Sequence, residues 1–136
     1  MRAGEGKSYP PPVPGRIAVV GVCAAGKSVL VCALRSLGYD ARQCAQEHSF
    51  VPDMWRRLAR PEVLVYLDAS LDAVRKRRSI DYGNAYLEEQ CRRLEHARRH
   101  CDIYVQTDGL SESEVLRRVL DALSRLGWSS RLQEHD

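Results

Sequence analysis

Apolar runs alternate with stripes of helical period along this chain. Ile17-Ala18-Val19-Val20 is short and rich in β-branched residues, which suits a buried strand. Val29 to Leu37 reads as a mostly buried helix, with Gly38 as its stop. Tyr39 to Gln46 is a second, more polar strand. Pro52 opens a short helix through Leu58, which Arg60-Pro61 ends. Val63 to Asp68 is the most apolar strand. Ser70 caps a helix from Leu71 to about Arg78, and Ile80-Asp81-Tyr82-Gly83-Asn84 breaks the pattern. Leu87, Cys91, Leu94 and Arg98 share one face of a helix that runs to about His100, and Ile103-Tyr104-Val105 is a fourth strand. Ser111-Glu112-Ser113-Glu114 forms a capping box, with Leu110 and Val115 as its hydrophobic staple. Val115, Leu116, Val119, Leu120, Leu123 and Leu126 give the last helix a broad buried face that ends at Gly127.

Strands separated by helices predict an α/β fold, a three-layer αβα sandwich on a mostly parallel, four- to five-stranded sheet. Residues 15–128 form the folded domain. Residues 1–14 hold four of the six prolines (Pro10, Pro11, Pro12 and Pro14) and lack periodicity, so they read as a disordered or polyproline-like tail. Residues 129–136 read as a flexible C-terminal tail. Parallel sheets of this kind bind ligands at the carboxyl ends of their strands, where polar candidates belong.

The first of those ends carries Gly21-Val22-Cys23-Ala24-Ala25-Gly26-Lys27-Ser28, which fits G-x-x-x-x-G-K-[ST]. Glycines let the backbone curl so that successive N–H groups form a nest for phosphate oxygens. Lys27 then reaches the β/γ-phosphates, and the Ser28 hydroxyl ligates Mg²⁺. Val29 follows in the first turn of a helix whose positive dipole end adds to the anion site. Strand, loop and helix in this order are the context that the motif requires. Cys23 sits beside the helix start and Lys27, both of which favour a thiolate, although a small residue tolerated in the loop is the plainer reading.

Three further strand ends carry polar residues. Asp68 can hold Mg²⁺ directly or through water, or can simply cap the next helix together with Ser70. Glu47 can act as a base on an acceptor hydroxyl, and His48 can move a proton or be an ordinary surface histidine. Thr107-Asp108-Gly109 can wrap a base or be a plain turn. Arg75, Arg78, Arg92 and Arg93 flank the breaker segment, where one or two could close over a triphosphate. The rest are explained by solvated helix faces.

At 136 residues, with 44% hydrophobic and 29% charged residues, the composition is that of one globular domain. The net charge of +3 suits polyanionic nucleotides without demanding a nucleic-acid partner. Five cysteines without C-x-x-C spacing argue against a zinc or disulfide framework, and Cys32 and Cys91 fall where small buried hydrophobes are expected. No apolar run approaches membrane-spanning length and no secretory signal is visible, so a cytoplasmic protein without membrane partners is expected.

The chain resembles the small P-loop kinases, the shikimate-kinase and adenylate-kinase branch of the P-loop NTPases. The resemblance rests on Gly21–Ser28, the Val65-Tyr66-Leu67-Asp68-Ala69-Ser70 junction, the run Arg75–Arg78, and Cys101 to Gly109. It implies the P-loop fold, ATP and Mg²⁺, a mobile lid opening near Arg75–Arg78, and an adenine approached by Thr107, Asp108 and Gly109. The family's Asp-x-Asp at the second strand is absent, which leaves Glu47 as its positional substitute. In that branch the Walker-B strand precedes the one Val63–Asp68 resembles. No Asn-Lys-x-Asp motif for guanine recognition occurs. The implied function is transfer of the γ-phosphate to a small hydroxyl-bearing acceptor, with Lys27, Glu47 and Arg78 catalytic. The alternatives are a nucleotide-binding module that signals to a partner, with Trp55 or Trp128 as contacts, and a slow ATPase.

Overall fold

The computed structural model describes residues 10–22, 25–46, 49–70, 73 and 84–128. Four strands, β1 (Arg16–Gly21), β2 (Asp40–Gln43), β3 (Val63–Asp68) and β4 (Ile103–Gln106), form one parallel sheet in the order β2-β1-β3-β4. Among the described residues, three long helices accompany it: α1 (Lys27–Ser36), α2 (Asn84–His100) and α3 (Glu112–Arg125). Helix α1 packs on β1 and β2 and touches α3, which lies on β4, while α2 packs on β3 and β1. The central strands are therefore covered on both sides. Ile17, Ala18, Val19, Val20, Val65 and Leu67 are fully buried, which is why their segments read as continuous apolar runs. The polar β2 lies at an edge, where only Ala41 is buried.

Helix phases differ from the sequence expectation in an instructive way. Cys32 and Cys91 are exposed, not buried. In α1 the inward face is Lys27, Leu30, Val31 and Leu34, and Cys32 lies just off it. In α2 the inward stripe is Gln90, Leu94 and Ala97. The inward stripe keeps Leu94 but takes Gln90 and Ala97 in place of Cys91 and Arg98, and a hydrophobicity pattern does not count a buried glutamine. The short helix expected from Pro52 is a wide π-type turn over Trp55–Ala59. Arg60 closes it at φ 51°, outside the right-handed region that the following proline disfavours.

Residues 10–14 run along this turn: Val13 N–H donates to Arg60 O at 2.9 Å, and Arg60 Nε donates to Pro11 O at 3.1 Å. Residues 1–9 and 129–136 lie outside the described residues. Among the described residues, no helix is long and apolar enough to cross a membrane.

The capping box forms as the sequence spacing predicts. Ser111 Oγ accepts from Glu114 N–H at 3.1 Å, and Glu114 Oε1 accepts from Ser111 N–H at 2.8 Å. Those bonds to Ser111 hold the Glu114 carboxyl below its ordinary range. A lowered folded-state pKa contributes stability above the unfolded-state value and loses it as pH falls through the folded value. Urea unfolding should therefore show Ser111→Ala destabilised by about 1 kcal/mol at neutral pH. Glu114→Gln should lose less stability than the parent when the pH is lowered through the carboxylate range.

Candidate nucleotide site

Strand β1 delivers the glycine-rich loop to the start of α1. Gly21 lies where β1 and β3 come closest, opposite Leu67. Gly26 takes φ 94°, a left-handed conformation that glycine adopts without penalty, and forms the N-cap of α1. The first helical bond runs from Leu30 N–H to Gly26 O at 3.1 Å. The first N–H groups of a helix have no intrahelical acceptor, which leaves the start of α1 suited to an anion. Cys23 and Ala24 lie outside the described residues, as do Glu47, His48, Arg75 and Arg78.

Lys27 is only 6% exposed, and its ammonium donates to Gly21 O at 2.7 Å. The chain thereby holds a cation in a poorly solvated place on the first turn of α1. An arriving anion relieves that arrangement. The next residue, Ser28, is exposed and its hydroxyl donates to Gln43 Oε1 at 3.0 Å. The hydroxyl oxygen keeps lone pairs for a hard cation, so it fits an Mg²⁺ ligand of the kind the motif implies.

Beside the loop lies a cavity of about 430 Å³. Gly26, Val29 and Ala33 form one wall, Thr107 and Leu110 the floor, and Val115 and Leu116 the other wall. Ser111, Glu112 and Ser113 give it a polar rim. Its volume falls in the range of roughly 300–1,000 Å³ common to small-molecule sites. Contact between α1 and α3 creates it, so no single stretch of sequence announces it.

The β3 and β4 ends are knitted together beside this cavity. Thr107 is buried, and both its N–H and its hydroxyl donate to Asp68 O at 2.9 Å. Asp108 Oδ1 accepts from Ser70 N–H at 3.0 Å, and Gly109 turns the chain at φ 76°. Thr107 thus lines the cavity while Asp108 reaches away to the β3 end. Ser70 Oγ accepts from Ala73 N–H at 3.1 Å, the capping bond expected of it. Asp68 uses both carboxylate oxygens locally: Oδ1 accepts from Ala69 N–H at 2.9 Å and Oδ2 from the Tyr104 hydroxyl at 2.5 Å. Partial burial, and then that bond to Asp68, raise the Tyr104 phenol above its ordinary value, so it stays a donor at neutral pH. Among the described residues, no three His, Cys, Asp or Glu side chains group as metal ligands.

Two glutamines shape the neighbourhood, and neither stood out in the sequence. Gln43 is the acceptor for Ser28 just described. Gln46 is fully buried; its amide donates to Val51 O at 2.8 Å and its carbonyl accepts from Trp55 N–H at 2.9 Å. That pair folds the segment from β2 to the π-type turn onto the domain. Trp55, expected as an exposed contact, is 4% exposed, and its indole N–H donates to His96 Nδ1 at 3.1 Å.

No family model matches the sequence, and no curated protein matches it. The structure does find a match, the crystal structure of a gluconokinase from Sinorhizobium meliloti 1021. The two share 18% identity over 85% of this chain and 94% of that one, with a TM-score of 0.61. The two chains share one α/β fold. In this fold the glycine-rich loop joins β1 to α1, which Lys27 and Ser28 open, and the cavity lies between the helix that follows the loop and the last helix. The parallel sheet expected from the sequence is present, with four strands among the described residues.

Proposed function

We propose that this chain binds ATP with Mg²⁺ and transfers the γ-phosphate to a small hydroxyl-bearing acceptor. The observation that carries this reading is the continuity of the 430 Å³ cavity with Gly26 at the N-terminus of α1. A purine seated between Val29 and Leu116 leaves its phosphates facing the loop amides, Lys27 and Ser28. The gluconokinase likeness supports a kinase-type reaction for the same fold. Asn-Lys-x-Asp is missing from the sequence, and the walls of the cavity are mostly apolar, which favours adenine over a base read by a carboxylate.

In this reading Lys27 leaves Gly21 O for the γ-phosphate and balances charge that develops there during transfer. Ser28 would hold Mg²⁺, which when bound would supply positive charge to neutralise the phosphates. Glu47 takes the acceptor's proton, and Arg75 and Arg78 cover the triphosphate. Asp68 remains a proposed outer partner of the metal, though its present bonds favour an anchoring role at the β3 end.

Calorimetric titration with ATP and Mg²⁺, followed by ADP release across a panel of polyols and hydroxy acids, tests this. Absence of binding at millimolar ATP overturns it. Val29→Trp, which fills the cavity from a residue 43% exposed, should weaken ATP about tenfold or more and leave inorganic triphosphate binding unchanged.

A second reading is favoured by the compact segment between β2 and β3. Gln46 and Trp55 tie it down, and among the described residues no separate acceptor domain is inserted there. The chain would then bind ATP and signal through its nucleotide state. Tight binding with no acceptor-dependent ADP release in the panel selects this reading.

A further inference from the structure

Ser28 and Gln43 meet because β2 is the immediate neighbour of β1. The register pairs Val19 with Gln43, and Cys44 N–H continues the ladder to Val19 O at 2.9 Å. Gln43 therefore leaves the sheet one strand away from the phosphate loop, and its Oε1 accepts the Ser28 proton at 3.0 Å. A serine hydroxyl has one proton and two acceptor lone pairs. To ligate a cation the oxygen must turn its lone pairs to the metal, so its proton needs another acceptor. Gln43 provides that acceptor in the structure. The Ser28 proton is directed to Gln43, whereas the bonds seen at Asp68 come from the Ala69 amide and the Tyr104 hydroxyl. Among the described residues, no group of three ionisable metal ligands competes for the role.

We propose that Gln43 is a positioning residue that fixes the Ser28 hydroxyl for a divalent cation arriving with a nucleoside triphosphate. The inference rests on the nucleotide reading above and deepens it. The amide is neutral and accepts the proton without adding negative charge near the incoming phosphates. The metal's charge is thus balanced by the nucleotide, and the protein takes up the metal–nucleotide complex in preference to the free ion.

The test compares ATP affinity by calorimetry in Mg²⁺ and in EDTA, for the parent chain, Gln43→Leu and Gln43→Glu. Gln43 is exposed at an edge strand, so both variants should fold, and thermal unfolding checks this. In the parent, Mg²⁺ tightens ATP. Gln43→Leu keeps the EDTA affinity and reduces the Mg²⁺ effect about fivefold, the worth of one hydrogen bond. Gln43→Glu retains an acceptor but adds a negative charge, so it weakens ATP in EDTA and keeps or enlarges the Mg²⁺ effect. A merely structural role shifts the affinities in Mg²⁺ and EDTA together and leaves their ratio at the parent value, which overturns the inference. If the parent binds ATP equally with and without Mg²⁺, the inference fails and the nucleotide reading stands. If the parent binds no ATP at all, both fall.

Discussion

Lys27→Ala is expected to weaken ATP binding roughly ten- to hundredfold, the worth of about 1.5–3 kcal/mol for a hydrogen bond made by a charged group. The nucleotide-free protein should not lose stability with it. Lys27 is 6% exposed, so removing its ammonium ends the cost of a desolvated charge while the bond to Gly21 O is lost. These two changes oppose each other in the free protein and add up against the nucleotide. Thermal unfolding with and without Mg²⁺·ATP separates them. The parent's midpoint should rise with ligand by mass action, and that of Lys27→Ala should hardly move at the same concentration. Lys27→Arg should not rescue binding, because a planar guanidinium cannot replace a compact ammonium in so closed a place. An undiminished ligand-induced shift in Lys27→Ala would mean that phosphates are held elsewhere.

How far the sequence discloses this molecule depends on the range over which each feature is encoded. The phosphate loop is eight consecutive residues, and its strand and helix are adjacent to it, so it is legible at once. Strands β1 and β3 are legible because both faces are covered, and apolar runs follow directly from that. The Ser111–Glu114 box is legible because its partners are three residues apart.

Features that need tertiary proximity were hidden. Gln43 reads as one polar residue in a polar edge strand until the β1–β2 register brings it to Ser28. Gln46 and Gln90 are buried polar residues, and a pattern that equates burial with apolarity passes over them. Gln90 takes an inward position on α2 that the pattern gave to Cys91, and Gln46 bonds the start of the wide turn at Trp55. The cavity requires Val29 and Leu116, far apart in sequence, to face each other across the α1–α3 contact. Asp68 shows a different difficulty. A carboxylate at a strand end has two physical explanations, and only its bonds to Tyr104 and Ala69 reveal how this one is occupied.

Gly21→Ala should be the most damaging single methyl that this chain can receive at its loop. A Cβ at Gly21 would stand 2.2 Å from Leu67 O and 3.0 Å from Leu67 C. Both strands are central in the sheet and both obstructing atoms are backbone, so no side chain can swing aside to make room. Relief requires β1 and β3 to separate at the very register pair that positions the loop, Gly21 with Leu67. Overpacking of this kind costs about 3 kcal/mol at the upper end of its usual range, and urea unfolding should record a loss of that size. Gly26→Ala is the informative contrast. Nothing lies within 4 Å of its Cβ position, but its φ of 94° strains any residue with a side chain. That cost is about 1–2 kcal/mol and is local to the α1 N-cap. Gly26→Ala should therefore stay folded while losing phosphate affinity, whereas Gly21→Ala should lose stability first and binding as a consequence. Equal unfolding midpoints for Gly21→Ala and the parent would show that β1 and β3 do not approach each other at Leu67 as closely as described.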